Sequence, residues 1–251
     1  DKSTIDIAFT LSAGTCDPAT SSLTLASAAF SNVNVAVSLP REPGRYELTA
    51  TATVSGREVS ATRVVKAEWE LPVVLDLMDP SVGVARGFRA RGEDETIGLP
   101  EIYFGEYELT RARSGGEERA CIFTHPPYAA GRVGYVFGKY EVELPAEHEA
   151  VLEFAMGMRD GLDATDGVTF KVAVVDSDGA ETELFSRHHA ALKWDDVEVD
   201  LGEFAGQVVQ LKLMADCGPA NDTTADHALW GNPRLVLRDE AARRLLVTEA
   251  E

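Results

Sequence analysis

The side chains of this chain best suited to chemistry are carboxylates, aromatic rings and imidazoles, and they crowd into its second half. Asp160, Asp163 and Asp166 share one loop, Asp160-Gly161-Leu162-Asp163-Ala164-Thr165-Asp166-Gly167. Calcium takes about six to eight oxygen ligands, and acids at such close spacing supply several of them. Asp226, just before a final strand, and Asp222 are the acids that would join from a second loop. The run has neither the acid alternation nor the distal Glu of an EF-hand. Asp and Gly also favour turns for backbone reasons alone, so an Asp-capped turn is the competing reading.

Trp194, Trp230 and Tyr128 are the rings on which a pyranose would stack, leaving its hydroxyls for Asp, Asn, His or Arg. Trp230, between Leu229 and Gly231 at a strand entry, also fits a core position, whereas Lys193-Trp194-Asp195-Asp196 fits a surface. Arg159, Asp160, His188 and Asp226 are the expected directional hydrogen-bonding groups. His125 opens the stiff loop His125-Pro126-Pro127-Tyr128, where two prolines remove backbone donors. On a strand, His188 and His189 would point to opposite faces and could not chelate together. Arg86, Arg89 and Arg91 form the densest basic patch, suited to an acidic sugar or to neutralising nearby carboxylates.

The motif search for catalysis is poor. The chain has no Gly-x-Ser-x-Gly elbow, His-Glu-x-x-His pair, phosphate loop or dinucleotide fingerprint. Glycoside hydrolysis needs two carboxylates at a defined separation. Among 42 acids nothing in the pattern nominates such a pair.

Those 42 acids stand against 23 basic residues, a net charge of −19. That balance argues against duplex nucleic acid or an anionic membrane as partner, since Lys and Arg must drive counterion release. No window approaches the roughly eighteen uninterrupted apolar residues of a membrane span. The opening Asp1-Lys2-Ser3-Thr4 shows no signal-peptide character and no initiator Met, so the chain is expected to be a piece of something longer. Cys16, Cys121 and Cys217 have no metal-like spacing, and their odd number forbids complete pairing. Three thiols packed as small hydrophobes are expected over one bridge and a spare.

The elements that must position these groups read as strands throughout, so the expected fold class is all-β in two domains. Residues 1–69 alternate with period two at Ile5 to Leu11, Val33 to Leu39 and Tyr46 to Val54, with Val59 to Val65 completing a hairpin across Ser55-Gly56. Short strands broken by turns such as Pro40-Arg41-Glu42-Pro43-Gly44 predict a small immunoglobulin-like sandwich. Residues 70–239 carry about nine further strands, the size of a jelly-roll sandwich. The acidic tail, 240–251, is the best helix candidate, because Ala241, Leu245 and Leu246 would share a face.

The second domain resembles the galactose-binding-like jelly rolls of carbohydrate-active enzymes, with the NPCBM family of carbohydrate-binding modules as its nearest likeness. The residues that carry it are Tyr140-Glu141-Val142-Glu143-Leu144-Pro145, Gly157-Met158-Arg159-Asp160-Gly161 and Asp166-Gly167-Val168-Thr169-Phe170-Lys171-Val172. Leu184-Phe185, Val199-Asp200-Leu201, Val209-Gln210-Leu211-Lys212-Leu213 and Asp226-His227-Ala228-Leu229-Trp230 continue it, over under half the chain. His125-Pro126-Pro127-Tyr128 and Gly218-Pro219-Ala220-Asn221-Asp222 fall outside the pattern. In the first domain, Pro43-Gly44-Arg45-Tyr46-Glu47-Leu48-Thr49-Ala50 resembles the penultimate hairpin of bacterial immunoglobulin-like accessory domains. The resemblance implies non-catalytic binding of a poly- or oligosaccharide, with a structural calcium. It also implies an accessory place beside other domains of an extracellular or cell-surface glycan-degrading protein. A structural spacer without a glycan ligand and a small β-sandwich lyase or hydrolase are the alternatives.

Overall fold

The computed structural model describes residues 2–17, 19–26, 34–39, 42–54, 57–99, 105–128, 131–162, 165–238 and 244–249. The described residues form strands and no α-helix, as the period-two alternation requires. They divide into two compact units, Asp1–Leu71 with Arg243–Glu251, and Pro72–Ala242.

The first unit opens with β1 (Lys2–Leu11), β2 (Thr15–Asp17), β3 (Thr20–Ala26), β4 (Ala36–Ser38), β5 (Gly44–Val54) and β6 (Arg57–Glu70). In β1 the apolar Ile5, Ile7, Phe9 and Leu11 are half-buried while Asp6, Ala8 and Thr10 are exposed. β5 and β6 pair antiparallel from Gly44 opposite Ala67 to Val54 opposite Arg57. The connecting residues 55–56 lie outside the described set. β2 and β3 were not among the expected strands, because Thr15–Asp17 and Thr20–Ala26 carry too few apolar side chains to alternate clearly.

The second unit comprises β7 (Val73–Asp76), β8 (Ala85–Ala90), β9 (Thr96–Ile97), β10 (Glu106–Ser114), β11 (Glu117–His125) and β12 (Gly134–Glu143). It continues with β13 (Ala150–Met158), β14 (Val168–Val175), β15 (Glu181–His189), β16 (Asp195–Asp200), β17 (Val208–Asp216) and β18 (Ala228–Leu237). One 3-10 turn, Gly202–Phe204, links β16 to β17. The strands make two antiparallel six-stranded sheets, the front one ordered β10-β11-β18-β13-β16 with β7 beside β18, the back one β15-β14-β17-β12-β8-β9. Their inner faces share one core, in which Ile122, Leu152, Met156 and Trp230 meet Val136, Tyr140, Phe170, Val172, Leu211 and Leu213. This is a jelly-roll sandwich, as expected. β8 lies in a span whose Gly and Arg content hides the strand signal. Its Gly87 is needed where the chain passes Phe137, since a Cβ there would come within 2.5 Å of the ring.

Each sheet also carries an outer apolar layer. Cys121, Phe123 and Leu229 cluster with Ala112 and the half-buried Trp194 on the front sheet. Phe137, Ala173 and Met214 cluster with Tyr135 on the back. Beside the latter, the fully buried Lys212 side chain is held by Glu95 and by Glu181 at 2.6 Å. Glu95 also accepts from Tyr135 Oη at 2.7 Å and Lys139 Nζ at 2.8 Å. These donors overcome its partial burial and hold its carboxyl at about 2. All three cysteines are free thiols; Cys121 and Cys217 are buried and Cys16 is half-buried.

After β18 the chain returns to the first unit as β19 (Arg244–Glu249), which pairs antiparallel with β6 and completes a five-stranded sheet, β19-β6-β5-β1-β3, beside a β2-β4 ribbon. The expected C-terminal helix is therefore a strand over these residues. The open edge of β6 offers a row of backbone partners, and Leu245, Leu246 and Val247 suit a strand once that pairing exists.

Candidate functional site

Strand register gathers the nominated residues. Glu106 lies opposite His125, Met158 opposite Ala228, Val168 opposite His189, Thr169 opposite Asp216 and Met156 opposite Asp195. The loops that follow β11, β13, β15 and β17 therefore emerge at one end of the sandwich. Tyr128, His125, Arg159, His188, Asp166 and Asp226 stand at or beside this rim, whereas the Trp194 ring lies on the outer face of the front sheet and Arg86 pairs in mid-strand opposite Gly138. Asp163 lies outside the described residues.

Along the rim runs a line of rings. Tyr128 meets His125 edge-on at 4.8 Å, His125 meets His227 edge-on at 5.2 Å, and His227 leans on Phe123 at 5.2 Å. The exposed Arg159 places its guanidinium 5.9 Å from the Phe123 ring centre. His125 Nδ1 lies 2.7 Å from the Pro126 carbonyl, so the proton sits on Nδ1 and Nε2 is the acceptor nitrogen. Burial lowers the His125 pKa. Burial, His125 and Arg159 together bring His227 down to about 4. Both imidazoles are thus neutral at pH 7. His227 Nδ1 is buried without a hydrogen-bond partner. Glu106 stands opposite His125, its carboxyl raised by burial and by Glu108 and restrained by Arg159. His227 and Glu106 were missed from sequence. His227 follows a nominated Asp at a strand entry, whereas Glu106 carries no signal of its own.

The other candidates are occupied differently. Trp230 is not a ligand contact: it is fully buried, 4.9 Å from both Phe154 and Phe170, because it shares the inner face of β18 with Ala228. Trp194 lies against Gly157 and Gly231, donates Nε1 to the Glu117 carbonyl at 2.8 Å and has Arg119 5.3 Å from its ring centre. His188 is exposed and His189 buried, as alternation requires. The His188 ring nitrogens sit 3.2 Å from Thr169 Oγ1 and 2.9 Å from the Asp166 carbonyl, pinning β15 to the preceding loop. Arg91, from the basic patch, forks onto the buried Asp216 at 2.8 and 2.6 Å, so this arginine neutralises an acid.

Asp160 binds the amides of Gly115 and Gly116 with its two oxygens at 2.7 and 2.8 Å, capping the β10–β11 hairpin. This capping gives Asp160 a structural role of its own. Asp226 is fully buried; Oδ1 accepts from Thr165 Oγ1 at 2.8 Å and Oδ2 has no partner. Burial, with Asp166 and Asp222 adding repulsion, lifts its carboxyl to about 7. Among the described residues no three His, Cys, Asp or Glu side chains assemble to hold a metal ion.

No protein-family model matches the chain. An uncharacterized protein of Archaeoglobus fulgidus is 34% identical over 123 residues, 45% of this chain, and the match spans only 30% of that protein's length. Among solved structures, the CBM22-1 xylan-binding domain of Paenibacillus barcinonensis Xyn10C aligns with a TM-score of 0.40 and 12% identity, covering 66% of this chain and 95% of that domain. The CBM51 of Clostridium perfringens GH95, solved in complex with methyl-galactose, aligns with a TM-score of 0.39 and 16% identity, covering 64% and 99%. No helix among the described residues is long and apolar enough to cross a membrane.

Proposed function

We propose that the second unit binds a glycan at this rim without converting it, as an accessory region of a larger extracellular or cell-surface protein that degrades polysaccharides. One observation carries the reading: Tyr128, His125, His227 and Phe123 form a line of rings that ends on the exposed Arg159. Phe123 and His125 are the buried base of this line, and the half-buried Tyr128 and His227 with the exposed Arg159 are its solvent face. A ring such as Tyr128 packs on the C–H face of a pyranose, and the phenol, the His227 imidazole and the guanidinium supply directional hydrogen bonds to its hydroxyls. Contacts of this kind are individually modest, so millimolar to micromolar affinity is expected, roughly −4 to −8 kcal/mol.

The test is a glycan array probed with the full chain, the Tyr128→Ala/Arg159→Ala double variant, and wild type in chelator. Selective binding that survives chelation and disappears in the double variant supports the proposal. Silence from folded wild type sinks it and leaves a structural spacer. A second reading, catalysis at the same rim, draws on the raised Glu106 carboxyl beside neutral imidazoles and a phenol. Incubating any array-positive glycan with the protein separates the two, since a lyase or hydrolase produces unsaturated products or new reducing ends.

A further inference from the structure

The outer face of the front sheet is dented away from the rim, beyond Leu229 along β18. Pairing runs from Ala155 opposite Gly231 to Glu153 opposite Arg234, a register shift that gives β18 an extra residue there. A bulge of this kind re-aims the neighbouring side chains. Asn232, at the bulge, has φ +45°, in the left-handed region that Asn tolerates. The result is a groove of about 570 Å³, within the roughly 300–1,000 Å³ of small-molecule sites. Its floor is the buried Ala155 and Gly231, with the Trp194 ring lying against Gly231 at one end. Its walls are charged and paired. Arg234 grips Glu153 at 2.9 and 3.0 Å, and Arg119 reaches across to Asp196 at 2.7 Å.

Resting on the reading of this unit as a glycan-binding module, we infer that the groove is a second site, taking an internal stretch of an uncharged polysaccharide. Arg119 and Arg234 are each held by a carboxylate, and Asp76 and Glu198 add further acids to the walls, so the groove offers little to an acidic glycan. A guanidinium has five donors and a carboxylate about four acceptor positions, so each pair keeps capacity for both halves of a vicinal diol. The rim then holds one part of a glycan and the groove another, and linking two weak contacts raises the effective affinity of a long chain.

The experiment is amide chemical-shift mapping on the full chain with cellohexaose, xylohexaose and mannohexaose, and with hexagalacturonate as a charged control. One neutral hexasaccharide should shift the amides of Ala155, Gly231 and Arg234, and Glu153→Leu/Arg234→Leu should weaken that response at least fivefold. Tyr128→Ala should leave the groove shifts in place. Shifts confined to Tyr128, Arg159 and His227 would overturn the second site while sparing the rim. A preference for hexagalacturonate, or an unweakened response in the double variant, would overturn it too. Absence of shifts on both surfaces would remove the rim proposal with it.

Discussion

Asp226 contributes to stability in a way that depends on pH, and Asp226→Asn isolates it. The carboxyl is fully buried, one oxygen accepts from Thr165 and the other has no partner. Its folded-state pKa is raised from 3.8 to about 7, chiefly by burial. A raised pKa means that the folded state binds the proton more tightly than the unfolded chain does. The protonated form's advantage is therefore complete below about pH 4 and is lost as pH rises toward 7. The full shift would correspond to about 4 kcal/mol at 1.36 kcal/mol per unit. Residual solvation of the carboxyl, together with screening of the Asp166 and Asp222 charges, brings a realistic figure nearer ~2 kcal/mol. An asparagine keeps the Thr165 hydrogen bond and cannot ionise. Relative to wild type it should gain about 2 kcal/mol between pH 4 and pH 8, or roughly 4–8 °C in Tm for a unit of this size. The assay is urea unfolding of both proteins at each pH unit from 4 to 8, in chelator, followed by tryptophan fluorescence. A variant-minus-wild-type difference that is flat across that range would refute the burial argument.

Glu95→Gln should cost about 2 kcal/mol at pH 7, because the buried Lys212 would keep only the partly exposed Glu181 as a charged partner. The Glu95 pKa is depressed to about 2, so its contribution is present above about pH 4.5 and lost as pH falls toward 2. The variant should accordingly show a shallower acid limb in thermal melts. Gly157→Val would bring a Cβ within 2.7 Å of the Trp194 ring and displace it, costing about 1–3 kcal/mol and red-shifting the fluorescence. Ending the chain after residue 242 removes β19 and should abolish hydrogen-exchange protection along the exposed edge of β6, with β11–β18 unaffected.

Alternation was enough to read the chain as strands and to send His188 and His189 to opposite faces. The same alternation accounts for Trp230, which shares its face with the buried Ile122 and Met156 opposite it. Other features depend on long-range register. His125 and His227 meet because β11 and β18 pair with Thr124 opposite Ala228, a choice made by the whole sandwich. The capping role of Asp160 is invisible in its own loop because its partners, the Gly115 and Gly116 amides, belong to a hairpin remote in sequence. The C-terminal segment has helical periodicity but finds the unpaired edge of β6, and tertiary pairing outweighs local preference.

The central claim is that the rim of the second unit holds a sugar, and calorimetric titration of the strongest array glycan tests it most directly. Wild type should bind with a dissociation constant between about 1 µM and 1 mM. The Tyr128→Ala/Arg159→Ala double variant, folded by circular dichroism, should bind at least tenfold more weakly. Equal affinity in the two proteins would contradict the claim and move recognition away from this rim.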